Sequence, residues 1–168
     1  MTGKMVLGMV VASLLAAASV ALAQDHAAPK VEEAPVLPLS PKHHAALVAE
    51  MVGVKEGVAE LSGLIAMGEW KAAAQRAERI RDSYIMKQKL TPGELEELER
   101  ALPADFIEKD SQFHRHADGL AHAALEHNYE LEVFYFSKMI EGCGACHARY
   151  ATDVLKGYKP ADRTEAAH

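Results

Sequence analysis

The sequence predicts an all-α protein built as an antiparallel four-helix bundle, and three observations lead to this fold class. Four segments carry apolar residues at alternating steps of three and four, the spacing of one helix face. Alternation typical of strands is scarce, and the chain contains only four Phe and one Trp. Residues that start and stop helices flank the segments, and a longer connection separates the second from the third. Because no single helix could bury its apolar face alone, four helices around a common core are the natural arrangement.

The first predicted helix covers about residues 41–67. Ser40 provides an N-cap, Pro41 occupies the first helical position, and Gly68 marks the end. Its apolar seam consists of Leu47, Met51, Val54, Val58, Leu61 and Ile65. This periodicity holds over nearly three heptads, as in a helical bundle.

The second predicted helix covers about residues 69–87, and the connection after it contains a short helix. The seam of the second helix is rich in small residues and consists of Trp70, Ala73, Ala77, Ile80 and Tyr84. Thr91 and Glu94 form a capping-box pattern with Pro92 between them. This pattern predicts a short helix that ends near Leu102.

The third predicted helix covers about residues 108–126, and the fourth begins after the N-cap Asn128 and closes at Gly157 or Pro160. The third seam consists of Phe113, Ala117, Leu120 and Ala124. The fourth seam consists of Val133, Phe136, Ile140, Cys143, His147 and Tyr150.

Residues 143–147 read Cys-Gly-Ala-Cys-His, the attachment signature of c-type haem. Each thiol adds across one haem vinyl group, and the adjacent histidine becomes the proximal iron ligand. Cys143 and Cys146 are the only cysteines, so no other pairing competes for them. The sequence therefore predicts one covalent haem c near the end of the last helix, with His147 on the iron. Because Cys143 and His147 lie on the inward seam, we expect the haem to enter the core.

The N-terminus has the pattern of a secretory signal. A short region with one positive charge, Lys4, precedes an apolar run over residues 5–20, and Ala21-Leu22-Ala23 resembles a cleavage site. An uncleaved anchor is the alternative, since the run is close to spanning length. The small residues favour cleavage after about Ala23 and a periplasmic location. Export agrees with the motif, because haem is attached to apocytochromes c after export.

Cleavage of residues 1–23 leaves 145 of the 168 residues, the length of one domain. Residues 24–40, with three prolines, are predicted to be a flexible tether, residues 41–157 the four-helix domain, and residues 158–168 a polar tail. The formal net charge of −6 argues against nucleic acid and anionic membrane surfaces as partners. A thioredoxin-like cysteine pair would also tolerate export, but the strands of that fold are not predicted.

The sixth iron ligand has several candidates. In an up-down-up-down bundle the start of the first helix lies level with the end of the fourth, so Met51 lies roughly level with His147. Its thioether would then bind the distal side of the iron and give low-spin iron with a raised potential. The alternative is that Met51 only fills the core. His43 and His44 are rival ligands.

Two further groups of polar residues are candidates for binding the haem or a metal. Arg149 follows the motif and is a candidate for contacting a haem propionate or facing the distal pocket. His114, Asp118 and His122 are spaced four residues apart on one helical stripe, which could bind a transition metal. We expect a solvated face there instead.

A C-x-x-C-H motif on the last of four helices, with Met51 in the first helix and a break at Gly68-Glu69, resembles class II c-type cytochromes. This is the cytochrome c′ family, including its low-spin, methionine-ligated relatives. The resemblance covers about residues 41–156. Leu47 departs from it, since the family often has a basic residue at that place.

The resemblance implies a carrier of electrons that serves redox partner proteins and converts no substrate, so the protein would not be an enzyme. Family members are often homodimers. One alternative is five-coordinate iron that binds NO or CO at an open distal site. A second alternative, from another class, is a haem-free helical bundle that binds a metal or a partner through its histidines.

Overall fold

The structure, a computed structural model, describes residues 35–158, and this part of the chain is helical. It contains six α-helices and a closing 3-10 turn: α1 (Pro41–Met67), α2 (Trp70–Arg81), α3 (Tyr84–Lys89), α4 (Pro92–Ala101), α5 (Ala104–Leu125), α6 (Tyr129–Tyr150) and Lys156–Tyr158. No strand occurs within these described residues. The all-α prediction is therefore confirmed. The predicted signal peptide, most of the tether and the tail after residue 158 lie outside the described residues.

The ends of α1 and α4 are those that the sequence predicts. The Ser40 hydroxyl accepts a hydrogen bond from the His43 backbone N–H at 3.2 Å. Gly68 ends α1 with a left-handed φ of 68°, a conformation that glycine adopts without strain. The capping box of α4 is also present, with reciprocal bonds between Thr91 and Glu94.

The second predicted helix is wrong as a continuous element, because the chain breaks between α2 and α3. Ser83 adopts a left-handed φ of 48°. His114 of α5 satisfies the polar groups at this break: its Nδ1–H donates to the Ile80 carbonyl oxygen at 2.8 Å, and its Nε2 lies 3.2 Å from Ser83 Oγ. The break turns α3 onto α1, where Ile85 packs against Gly53.

Contacts at both ends of α2 define how it pairs with α5. The Trp70 ring at the start of α2 stacks on His127 after the end of α5, at a centroid distance of 5.2 Å. At the other end of α2, Arg81 Nη1 lies 3.1 Å from Asp118 Oδ1. The two helices are therefore antiparallel. None of the helices within residues 35–158 is long and apolar enough to cross a membrane.

Two apolar clusters stabilise this arrangement. The main core draws on α1, α2, α5 and α6 and consists of Val54, Val58, Leu61, Ile65, Ala73, Ala74, Ala77, Ile80, Ala117, Leu120, Ala121, Ala124 and Met139. The small core consists of Ala46, Leu90 and Leu98, with Leu39, Met86, Leu95 and Leu102 packed against it. The small core joins the start of α1 to the segment containing α3 and α4.

Over the first half of α6, the buried residues lie one position before those of the predicted seam. Val133 and Ile140, predicted to face the core, are exposed, while Glu132 and Met139 are fully buried. The reason lies on α5, where Gly119 leaves room for the Tyr135 ring and thereby sets the rotation of α6. The helix also ends at Tyr150, earlier than predicted.

The buried Glu132 carboxyl makes the stability of the fold depend on pH. Neither of its oxygens has a hydrogen-bond partner among the described residues, and burial raises the pKa of this group. Between the ordinary carboxyl pKa and this raised value the folded state binds more protons than the unfolded state, so stability falls as pH rises. We expect Glu132→Leu to raise the free energy of unfolding at pH 8 by about 1 kcal/mol, and by less near pH 5.

Urea unfolding at both pH values measures this effect. Glu130→Leu is the matched control, because Glu130 is exposed on the same helical turn. Equal effects of the two substitutions at both pH values would contradict the buried position of Glu132.

Candidate haem attachment site

The motif lies in the last turns of α6, which is an unbroken helix of 22 residues. The Asn128 side chain caps its start by accepting a hydrogen bond from the Leu131 N–H at 3.1 Å. Since residues three and four apart share one helix face, Cys143, Cys146 and His147 point to the same side. The helix thus presents two sulfur atoms and one imidazole together.

Both cysteines are free and half-buried. Burial raises the pKa of the Cys143 thiol. Burial, together with the Asp110 carboxylate on α5 and the other cysteine, raises the pKa of Cys146 to about 11. At neutral pH both groups are therefore protonated thiols, the form that reacts slowly with oxidants.

His147 is partly covered, and burial lowers the pKa of its imidazole. The neutral imidazole is the form that binds a metal. The Tyr158 ring meets His147 edge-on, with 5.7 Å between ring centroids and 68° between ring planes. These features favour a neutral, oriented ligand at this position.

The first half of α5 packs along the motif. Phe106 makes an edge contact with Tyr150 at 5.1 Å between ring centroids. A Cβ on Gly142 would lie 3.6 Å from the Phe113 ring, so this aromatic side chain borders the residue before Cys143. Aromatic side chains thus border a helix face that bears two thiols and a neutral imidazole, the donor set that a c-type haem would need.

Met51 is 38% exposed on α1, so its side chain lies outside the buried core. Its neighbour Glu50 occupies the inner position, is only 2% exposed, and accepts a hydrogen bond from the Met86 N–H at 2.8 Å. Burial raises the pKa of the Glu50 carboxyl. Iron ligation by Met51 stays a prediction.

Arg149 connects the end of α6 to the start of α5. Its Nε lies 3.3 Å from Asp105 Oδ2, and its guanidinium carbon lies 5.9 Å from the centroid of the Tyr150 ring. The Tyr150 hydroxyl and the Arg149 guanidinium hold the pKa of Asp105 below its usual value. The contact with a haem propionate stays a prediction for this residue.

The remaining histidines differ from one another in environment. His43 is buried and His44 exposed. His122 is exposed, as expected for a solvated face, whereas His114 is half-buried against α2 and α3, so that expectation was wrong for His114. Within residues 35–158 no three His, Cys, Asp or Glu side chains are placed to hold a metal ion.

Three residues near the site were not predicted from the sequence. Asp110 acts on the Cys146 thiol, Tyr158 contacts His147, and Glu50 is buried next to Met51. A signal for Glu50 was present, because it lies four residues after Ala46 and four before Val54, both of which are buried. Tyr158 carried no such signal, since it follows the last turn of the helix.

No protein-family model matches the chain, and searches of the curated proteins and of the solved structures also found no match.

Proposed function

We propose that the chain is an exported c-type cytochrome that carries one haem on Cys143 and Cys146 and transfers electrons in the periplasm. One observation carries this proposal. The C-x-x-C-H motif lies on a single face of α6, with both thiols free and half-buried and with an imidazole whose pKa is lowered. On a fully solvated helix, a motif that arose by chance would not have its thiols and imidazole partly buried on one common face.

The proposed architecture is an antiparallel four-helix bundle formed by α1, α2, α5 and α6. Contacts along the chain support it, since Arg76 of α2 pairs with Glu60 of α1. The Tyr135 ring of α6 covers Gly119 of α5, and Phe113 borders Gly142 further along the same pair. Successive long helices then alternate in direction.

Within this proposal the chain's own residues have distinct tasks. Cys143 and Cys146 would anchor the group through thioether bonds, and His147 would offer the lone pair of its neutral imidazole nitrogen to the iron. Phe113 shelters the attachment helix from water, which favours the less charged ferrous state. When bound, haem c supplies reversible one-electron exchange between ferric and ferrous iron.

The proposal is tested on the full chain, expressed together with a c-type maturation system. We expect the haem to remain on the polypeptide in a denaturing gel, and the periplasmic fraction to contain it. Ferric and ferrous optical spectra with and without CO then separate the two functions. A low-spin spectrum unaffected by CO supports electron transfer, and absence of covalent haem contradicts the proposal.

Met51→Ala tests the distal ligand. If the Met51 thioether binds the iron, the substitution will convert low-spin iron to high-spin iron and create CO binding, because one coordination position opens. The optical spectrum with and without CO is the measurement. Met67→Ala is a matched control, since Met67 is an exposed methionine at the C-terminal end of α1. An unchanged Met51→Ala spectrum contradicts ligation by this residue.

A second function, the binding of a diatomic gas such as NO or CO, is favoured by the exposure of Met51. If the Met51 thioether stays outside the core, the distal position of the iron would be open. High-spin wild-type iron whose spectrum shifts on CO addition would favour this function over electron transfer.

A further inference from the structure

The segment after α6 folds back onto the helix through successive turns. The Ala151 carbonyl oxygen accepts hydrogen bonds from the N–H groups of Val154 at 3.2 Å and Leu155 at 2.7 Å. The Leu155 carbonyl oxygen then accepts one from the Tyr158 N–H at 3.0 Å. These turns return Tyr158 to the level of Gly144 and His147.

Tyr158 lies across the two residues of the motif that share its side of the helix. Its ring edge meets His147 at 5.7 Å between centroids and 68° between planes, an arrangement typical of attractive aromatic pairs. A Cβ on Gly144 would lie 3.7 Å from the Tyr158 hydroxyl oxygen and 3.8 Å from its Cε1. Gly144 therefore lies against the hydroxyl edge of this ring.

We propose that Tyr158 is a positioning residue for His147, whose imidazole it holds in one rotation and shields from water on the C-terminal side. This inference rests on the proposed role of His147 as an iron ligand. Groups that contact a metal ligand fix its orientation and tune the metal. Here the contact is aromatic and comes from outside the bundle helices.

The test uses the holoprotein with Tyr158→Phe, Tyr158→Leu and Tyr158→Ala. Three quantities are measured: covalent haem per chain, the g-values in the ferric electron paramagnetic resonance spectrum, and the midpoint potential. Phe keeps the ring edge, so we expect wild-type values. Leu and Ala remove it, so we expect full haem content, shifted g-values and a lower potential, because water then favours the ferric state.

Tyr129→Ala is the matched control, since Tyr129 is an exposed tyrosine on the same helix, about 27 Å from His147 along its axis. It should change none of the three quantities. Wild-type g-values and potential in Tyr158→Ala overturn the inference, and so does loss of haem confined to the Tyr158 variants, which would indicate a role in folding or attachment. Absence of haem from every protein, wild type included, instead overturns the proposed function and the inference with it.

Discussion

Replacing Cys143 and Cys146 together with Ala will give a folded protein without covalently bound haem. Both side chains are only half-buried, so their truncation costs about 1 kcal/mol or less each, and the main core around Leu61 and Leu120 stays intact. The two proposed thioether bonds, by contrast, would have no substitute, because the chain contains no other cysteine. The expected result is complete loss of the haem-stained band on a denaturing gel.

Single substitutions sharpen this experiment. Cys143→Ala and Cys146→Ala each leave one thiol, so each should retain haem through a single bond. His122→Ala is the control, since His122 is exposed and should leave haem content unchanged. Haem that remains on the double variant after denaturation would show that these cysteines are not its attachment points.

Gly119→Ala will destabilise the fold by about 1–3 kcal/mol, the range for overpacked cores. A Cβ at this position would lie 2.5 Å from the Tyr135 Cε1 and Cζ atoms and 2.8 Å from its Cδ1. Real side chains do not approach so closely, so the ring or the α5–α6 spacing must shift. Urea unfolding of the wild type and the variant measures the difference.

Gly63→Ala is the matched control, and we expect it to change the free energy of unfolding in the opposite direction. Gly63 also lies within a long helix, but a Cβ there would meet nothing within 4 Å. Alanine is the better helix former, so this substitution should stabilise the protein by about 0.5–1 kcal/mol. If Gly119→Ala also stabilises the protein, the close packing of Tyr135 over α5 is contradicted.

Helices with strong end signals were predictable from sequence, and the rotation of one helix was not. Ser40, Gly68 and Asn128 act locally, so their positions alone locate helix ends. The break at Ser83 depends instead on His114, a residue 31 positions away. The rotation of α6 likewise depends on Gly119, because a tertiary contact decides which side of a helix is buried.

The candidate site was predictable to a similar, partial extent. The motif singles out Cys143, Cys146 and His147 from sequence, because covalent attachment of a haem would require this spacing. The surroundings follow from packing: the Asp110 carboxylate on α5 helps to raise the pKa of Cys146, and the chain reversal brings Tyr158 to His147. Spacing along one helix contains no information about either neighbour. Ligation by Met51 stays a prediction, because its side chain lies outside the buried core.

The unequal size of the two cores implies that the molecule does not open uniformly. The small core has three buried members, whereas the main core has thirteen, so separating α3 and α4 from α1 exposes far less apolar surface than global unfolding. Amide hydrogens of α3 and α4 will therefore exchange with solvent through a local opening. Those in the middle of α2 and α5 will exchange only when the whole chain unfolds. The same opening exposes the start of α1, where Ala46 and Glu50 lie, to solvent.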